Sequence, residues 1–291
     1  MKTKPVLTSL SIWVVVSFVL TVHRLFFCDL SDDNEPLSWN SAANVTVVTA
    51  VYDLGRIDRI FNETYAKWIR ATISAVNTPF VVFCHRKHVG IIPVSKSVHV
   101  MVRNRLPLRV YQPTIQSIVA SQHANRSGSV YVPELMNEEY LVLVYSKFMW
   151  LQTAISLNKF NTTHFFWADA GLSRFFDGPV SAFSPRFLHP SKIVIERYYY
   201  DRALPCLREK DLVLGTRNAW LAGGYFGGNS LQVWKLSRMV LFVFFHEMLD
   251  KNIVDNEQMV LSLLYVRNRS WFRVLSFTEF NKTQPCAFIC V

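Results

Sequence analysis

The sequence predicts an α/β fold, a mainly parallel sheet flanked by helices and preceded by an N-terminal transmembrane helix. Three observations carry this. Short runs of β-branched and aromatic residues, at 44–51, 80–84, 98–102 and from 164 onward, alternate with longer stretches of helical periodicity. These runs are apolar for the most part rather than strictly alternating, as strands covered on both faces are. Ahead of them all stands an uncharged stretch from 5 to 22, with Lys2 and Lys4 before it and His23 and Arg24 after it.

That stretch is near the lower limit for crossing a bilayer as a helix, and longer than the usual apolar core of a cleaved signal peptide. Lys2, Lys4 and the amino terminus precede it, whereas Asp29, Asp32, Asp33 and Glu35 follow it. The bias places the N-terminus in the cytosol and the rest of the chain across the membrane. The expected organisation is a cytosolic tail (1–4), a signal-anchor helix (5–27), a polar stem (28–43) and a lumenal domain (44–291). A cleaved signal peptide is the competing expectation, although no small-x-small site follows closely. Asn44, Asn62, Asn125, Asn161, Asn268 and Asn281 all open N-x-S/T triplets after the apolar run, which agrees with a lumenal address.

With 291 residues, 51% of them hydrophobic and 14% aromatic, the chain can bury a large core and is not of the disordered class. Cys28 lies beside the anchor. In an oxidising lumen Cys84, Cys206, Cys286 and Cys290 form two bridges in any of three connectivities. Cysteines at 286 and 290 lack partners at zinc-like intervals, so no structural zinc is expected. The formal charge of +10 is scattered rather than clustered and no nucleic-acid module is visible, so a nucleic-acid partner is not expected. A basic lumenal surface suits nucleotide diphosphates, acidic glycans or headgroups.

Along the chain, the strand at 44–51 ends in Tyr52-Asp53-Leu54-Gly55-Arg56, and a helix runs from about 57 to 76. Strands at 80–84 and 98–102 follow, with His85–Lys87 and Arg103–Arg105 at their ends. Pro107, Pro113 and Pro133 interrupt 106–132, which reads as loop with short helical pieces. Leu141, Tyr145, Phe148, Met149, Gln152 and Ile155 recur at helical spacing over 138–157. Next comes HFFWADAGLSRFF (164–176), an apolar strand broken by Asp169 and turned at Gly171.

A strand at 192–200 and a short apolar piece at 212–216 lead to the one glycine-dense stretch, 221–229. Its paired glycines allow close backbone approach to a ligand, or a tight turn with a bulge; the spacing is not a dinucleotide fingerprint. Lys235, Arg238, His246 and Glu247 make 231–249 a buried helix rather than a second span. The last helix covers 255–266, with Asp255 suited to its N-cap, and a strand with a cysteine-tied tail ends the chain.

Asp169 is the pivotal residue. A lone carboxylate at the carboxyl end of a parallel strand stands where open α/β sheets bind ligands, although Asp before Gly also serves simple turns.

Four pieces then fall in order: Tyr145-Ser146-Lys147-Phe148, Trp167-Ala168-Asp169-Ala170-Gly171-Leu172-Ser173-Arg174-Phe175, Gly223-Gly224-Tyr225-Phe226-Gly227-Gly228, and Asp255-Asn256-Glu257-Gln258. Together they resemble the HtrL/YibB-like family, whose members look like glycosyltransferases of the GT-A fold, over about 45–266. The resemblance implies a type II membrane glycosyltransferase of the Golgi or endoplasmic reticulum. Such an enzyme moves a sugar from a nucleotide-sugar donor to a glycan, protein or lipid acceptor. It also implies that Asp169 holds Mn²⁺ or Mg²⁺ against the donor phosphates, as the second carboxylate of an Asp-x-Asp motif whose first position here is Trp167. Asp53 would meet the nucleotide, and Arg56 its base, ribose or phosphate. Gly223, Gly224, Tyr225, Gly227 and Gly228 would line the acceptor or sugar pocket, with Tyr225 and Phe226 stacking on a pyranose. Asp255 or Glu257 would act as base for an acceptor hydroxyl or stabilise an oxocarbenium-like centre. The incomplete Asp-x-Asp leaves a competing expectation, a GT-A-like lumenal protein that binds without catalysing.

Overall fold

A computed structural model describes residues 45–55, 63–74, 78–124, 137–175, 188–197, 207–212 and 219–275. The anchor, the stem, Arg56, the sequons at Asn44, Asn62, Asn125 and Asn281, and every cysteine except Cys84 lie outside the described residues. Among those described, no helix is long and apolar enough to cross a membrane.

Seven strands form one sheet in the order β3-β2-β1-β4-β6-β5-β7. Strands β1 (Val45–Val51), β2 (Phe80–Cys84), β3 (Val98–Val102) and β4 (His164–Ala168) are mutually parallel. Strand β6 (Leu221–Asn229) runs antiparallel between β4 and β5 (Ile193–Arg197), and β7 (Phe272–Leu275) is parallel to β5. Every residue of β2 and β4 is buried, which is why their sequences read as unbroken apolar runs.

Parallel pairing requires crossovers, and the helices supply them. Helix α1 (Glu63–Ser74) connects β1 to β2 and packs Ile69 and Ile73 on one face of the sheet. Helices α2 (Gln112–Ala124), α3 (Glu138–Leu157), α4 (Ser230–Phe242) and α5 (Glu257–Arg267) cover the opposite face. Asn137 starts α3 by accepting the Tyr140 N–H at 2.8 Å, and Asn158, in the left-handed region, ends it. From β1 the chain moves outward to β2 and β3, then crosses back to place β4 on the other side of β1. The carboxyl ends of β1 and β4 thus flank a topological switch point, where a crevice opens.

Five expectations change. Segment 106–132 contains the 13-residue helix α2, because Pro113 falls in the first turn, where a backbone N–H would lack a partner. The glycine-dense stretch is the interior strand β6, not a loop. At the last helix the N-cap is Asn256, whose Oδ1 accepts the Met259 N–H at 3.2 Å, and Asp255 stands one residue outside. Cys84 is a buried free thiol at the end of β2, so the two-bridge scheme that included it does not hold. The apolar stretch expected as one helix is α4 continued by a π-helical turn, Val243–Met248, and a 3₁₀ turn, Leu249–Lys251.

Candidate functional site

At the end of β4 the Asp169 N–H donates to the Gly224 carbonyl at 2.9 Å, so pairing with β6 extends one residue beyond the strand. The Leu172 N–H then donates back to the Asp169 carbonyl at 2.9 Å and a 3₁₀ turn begins. A Cβ at Gly171 would stand 3.0 Å from Arg174 Nη1 and 3.2 Å from the Tyr65 ring, so a side chain here would press those two groups aside. The result is one carboxylate lifted out of a buried strand, with 36% of its side chain exposed. Asp169 Oδ1 accepts the Trp167 indole N–H at 2.8 Å and lies 3.2 Å from Lys147 Nζ. Its Oδ2 is left uncrowded by Gly224, where an added Cβ would stand 3.6 Å away.

Lys147 comes from the buried face of α3 and is 5% exposed. Besides Asp169, its ammonium donates to the Gly223 carbonyl at 3.0 Å and to Glu257 Oε1 at 2.7 Å. The ammonium thus makes two hydrogen bonds and one further ion pair, with Asp169. Burial works against the charge, but Asp169 and Glu257 outweigh it and hold the Lys147 pKa above its ordinary value. Glu257 is the first residue of α5, where the helix dipole favours an anion, and it is 1% exposed. A Cβ at Gly223 would collide with the Glu257 carboxylate, so the glycine is what lets this acid reach Lys147. The Tyr145 hydroxyl donates to the Asp255 carbonyl at 2.9 Å and fixes the start of α5. Burial, then Asp255 and Glu257, raise the pKa of that phenol well above its ordinary value.

Above Asp169 lies a crevice of about 750 Å³, its open mouth included, with Ala50, Lys147 and Asp169 at its base and Tyr52, Tyr65, Tyr140 and Trp167 around it. The aromatic wall is rigid: Trp150 stacks between Tyr52, at 5.3 Å, and Trp167, at 6.1 Å, and the Tyr52 hydroxyl donates to the Arg103 carbonyl. A second recess of about 1110 Å³ adjoins the first through Tyr52, Asp53 and Leu54. His85, Lys87, Arg105 and Arg109 line it, from the ends of β2 and β3 and the turn before α2. Asp53 faces both recesses. Its Oδ1 accepts the N–H of Gly55, which adopts φ +62°, and its Oδ2 lies 3.6 Å from Lys87 Nζ.

Of the residues singled out from sequence, Asp53 and Asp169 meet at this crevice, and Gly223 and Gly224 reach it from behind through their carbonyls. Gly227 and Gly228 pair with Phe166 and Phe165, back along the sheet. There a Cβ would run into the Phe165 carbonyl at Gly227, and into the Lys192 carbonyl at Gly228. Tyr225 and Phe226 are fully buried, stacked on Phe166 and Phe148, and have no free face for a pyranose. Asp255 and Glu257 are buried behind β6 and do not line the crevice, so the base role expected of them lacks access. Arg56 lies outside the described residues. Sequence reasoning passed over Lys147, whose signal was a charge amid the apolar positions of α3, and gave no role to Lys87 and Arg105 at their strand ends.

A divalent cation held by protein would need oxygen ligands around Asp169. The residues two before and two after it are Trp167 and Gly171, so neither register of an Asp-x-Asp motif supplies a second carboxylate. The buried acid Glu257 meets Asp169 only through the Lys147 ammonium, which lies 2.7 Å from one and 3.2 Å from the other. Among the described residues no three His, Cys, Asp or Glu side chains converge as a metal site, so their donor set does not by itself form a resident divalent site.

Residues 43–283 match the model of a family described as "Bacterial protein of unknown function (HtrL_YibB)". No curated protein matches the chain.

Proposed function

The chain belongs to the HtrL_YibB family, itself of unknown function, and from its crevice we propose that it is a glycosyltransferase. The reaction moves a sugar from a nucleotide-diphosphate donor to a hydroxyl of a glycan, protein or lipid acceptor. The observation that carries this reading is Asp169, a partly exposed acid at the switch point, with Oδ1 fixed by Trp167 and Lys147 and Oδ2 uncrowded. In the transfer, the bond from the anomeric carbon to the phosphate oxygen breaks with its electron pair leaving on the nucleoside diphosphate, a bond to the acceptor oxygen forms, and the acceptor's hydroxyl proton passes to the departing phosphate. Asp169 orients the sugar by accepting hydrogen bonds from its hydroxyls. Tyr52 offers a flat surface to a base or a pyranose, and Lys87, Arg105 and Arg109 offer positive charge to the departing diphosphate.

The same proposal places the domain in the lumen of the Golgi or endoplasmic reticulum, held by the signal anchor at 5–27. Asn161 supports this address, being an exposed sequon asparagine in a left-handed turn, at the edge of the sheet opposite the crevice.

The test is to incubate the full-length protein in detergent with a panel of UDP-, GDP- and CMP-sugars and to measure nucleotide release and sugar transfer. Release above the protein-free rate with one donor supports the reading. Binding with no release from any donor would replace it with a non-catalytic binding protein.

A further inference from the structure

Between the acid at the crevice and the acid behind β6 there is already a cation, and it belongs to the chain. Lys147 Nζ lies 3.2 Å from Asp169 Oδ1 and 2.7 Å from Glu257 Oε1, and it donates to the Gly223 carbonyl at 3.0 Å. Asp169 Oδ1 is already taken by the Trp167 indole N–H and by that ammonium, so a divalent ion would be left with the single oxygen Oδ2 of a carboxylate whose charge Lys147 already offsets. The other acid of the crevice, Asp53, is engaged by the Gly55 N–H and by Lys87.

Phosphate charge must then be met elsewhere, and the adjoining recess is built for it. His85, Lys87, Arg105 and Arg109 surround it, against Asp53 and Glu139. Glu139 pairs closely with Arg109, at 2.9 Å, whereas Asp53 holds the exposed Lys87 only loosely, at 3.6 Å, so Arg105 and Lys87 carry most of the recess's positive field. The two recesses are continuous through Tyr52, Asp53 and Leu54, so one ligand can hold its sugar end at Asp169 and its phosphates beside Lys87 and Arg105.

We infer that this crevice binds its phosphate-bearing ligand without a divalent cation: Lys147 is the internal counter-ion of Asp169, and Lys87 and Arg105 neutralise the phosphates. This rests on the nucleotide-donor reading above and adds how the charge is handled. Lys147, buried and held by Glu257, the Gly223 carbonyl and Asp169, is a positioning residue and does not itself touch the phosphates.

The experiment is calorimetric titration of the full-length protein in detergent with UDP, GDP, CMP and inorganic pyrophosphate, in EDTA and then with Mn²⁺. The inference expects a nucleotide affinity in EDTA within about threefold of that with Mn²⁺. It also expects a loss of about tenfold or more in Lys87→Ala/Arg105→Ala, as removal of charged hydrogen bonds gives. In Lys147→Ala the two acids are left facing each other, and binding should become Mn²⁺-dependent, which a purely structural role would not produce. Nucleotide binding by the wild type only with Mn²⁺ would overturn the inference and leave the donor reading intact. Binding in neither condition would overturn the donor reading and the inference with it. The wild-type comparison decides the matter even if Lys147→Ala does not fold.

Discussion

Lys147 Nζ and Glu257 Oε1 meet at 2.7 Å with both side chains withdrawn from water, joining the middle of α3 to the first residue of α5. Two elements that are 110 residues apart in sequence are thereby fixed behind β6. A buried charge keeps its favourable energy only while its partners remain.

Glu257→Gln should therefore destabilise the domain by about 3 kcal/mol, since the ammonium is left with only the partly exposed Asp169 as counter-charge. Urea denaturation monitored by tryptophan fluorescence checks this. Replacing both partners, Lys147→Met with Glu257→Leu, should recover much of the loss, because the desolvated charges are removed together.

The glycines of β6 should respond differently from one another. Gly227→Ala drives a methyl into the Phe165 carbonyl and the Phe166 ring, where backbone must move, and should cost about 3 kcal/mol or leave the protein insoluble. Gly224→Ala meets only ordinary contact with Asp169 Oδ2 and should alter stability by less than about 1 kcal/mol, while weakening whatever ligand approaches that oxygen. Thermal melting together with ligand titration separates the two effects.

Burial pushes the Glu196 carboxyl on β5 up from an ordinary value of 4.5 to about 7. Between those two values the folded chain holds a proton that the unfolded chain has lost, so stability falls as pH rises from about 4.5 to 7 and levels above. The total contribution lost is about 3 kcal/mol. Glu196→Gln should remove this slope and be the more stable protein at pH 8, read from urea midpoints at pH 5 and pH 8.

How far the sequence announced all this depended on whether a residue's surroundings were local. Strands β1, β2 and β4 were legible because burial on both faces makes their residues apolar without interruption, and α3 because its spacing persists for 20 residues. Helix α2 was hidden by Pro113, which marks a helix start as readily as a break. Strand β6 was hidden because glycine carries little strand preference. What demands glycine at 227 is a carbonyl on β4, 62 positions away in sequence. Tyr225 read as a sugar platform for the same reason: only its pairing opposite Ala168 puts it under Phe166. Asp169 was visible as an acid ending an apolar strand. Lys147 looked like an error in the pattern of α3 until Asp169 and Glu257 were brought to it by the fold.

The glycosyltransferase reading turns on Asp169, and its replacement by asparagine is the most direct measurement. Asparagine keeps an oxygen to accept the Trp167 indole N–H and Lys147 keeps Glu257, so the fold should survive, with a melting temperature lowered modestly by the loss of one counter-charge. With the donor sugar that the wild type turns over, Asp169→Asn should lose about a hundredfold or more in nucleotide release and sugar transfer. A folded Asp169→Asn protein that transfers sugar as fast as the wild type would contradict the assignment.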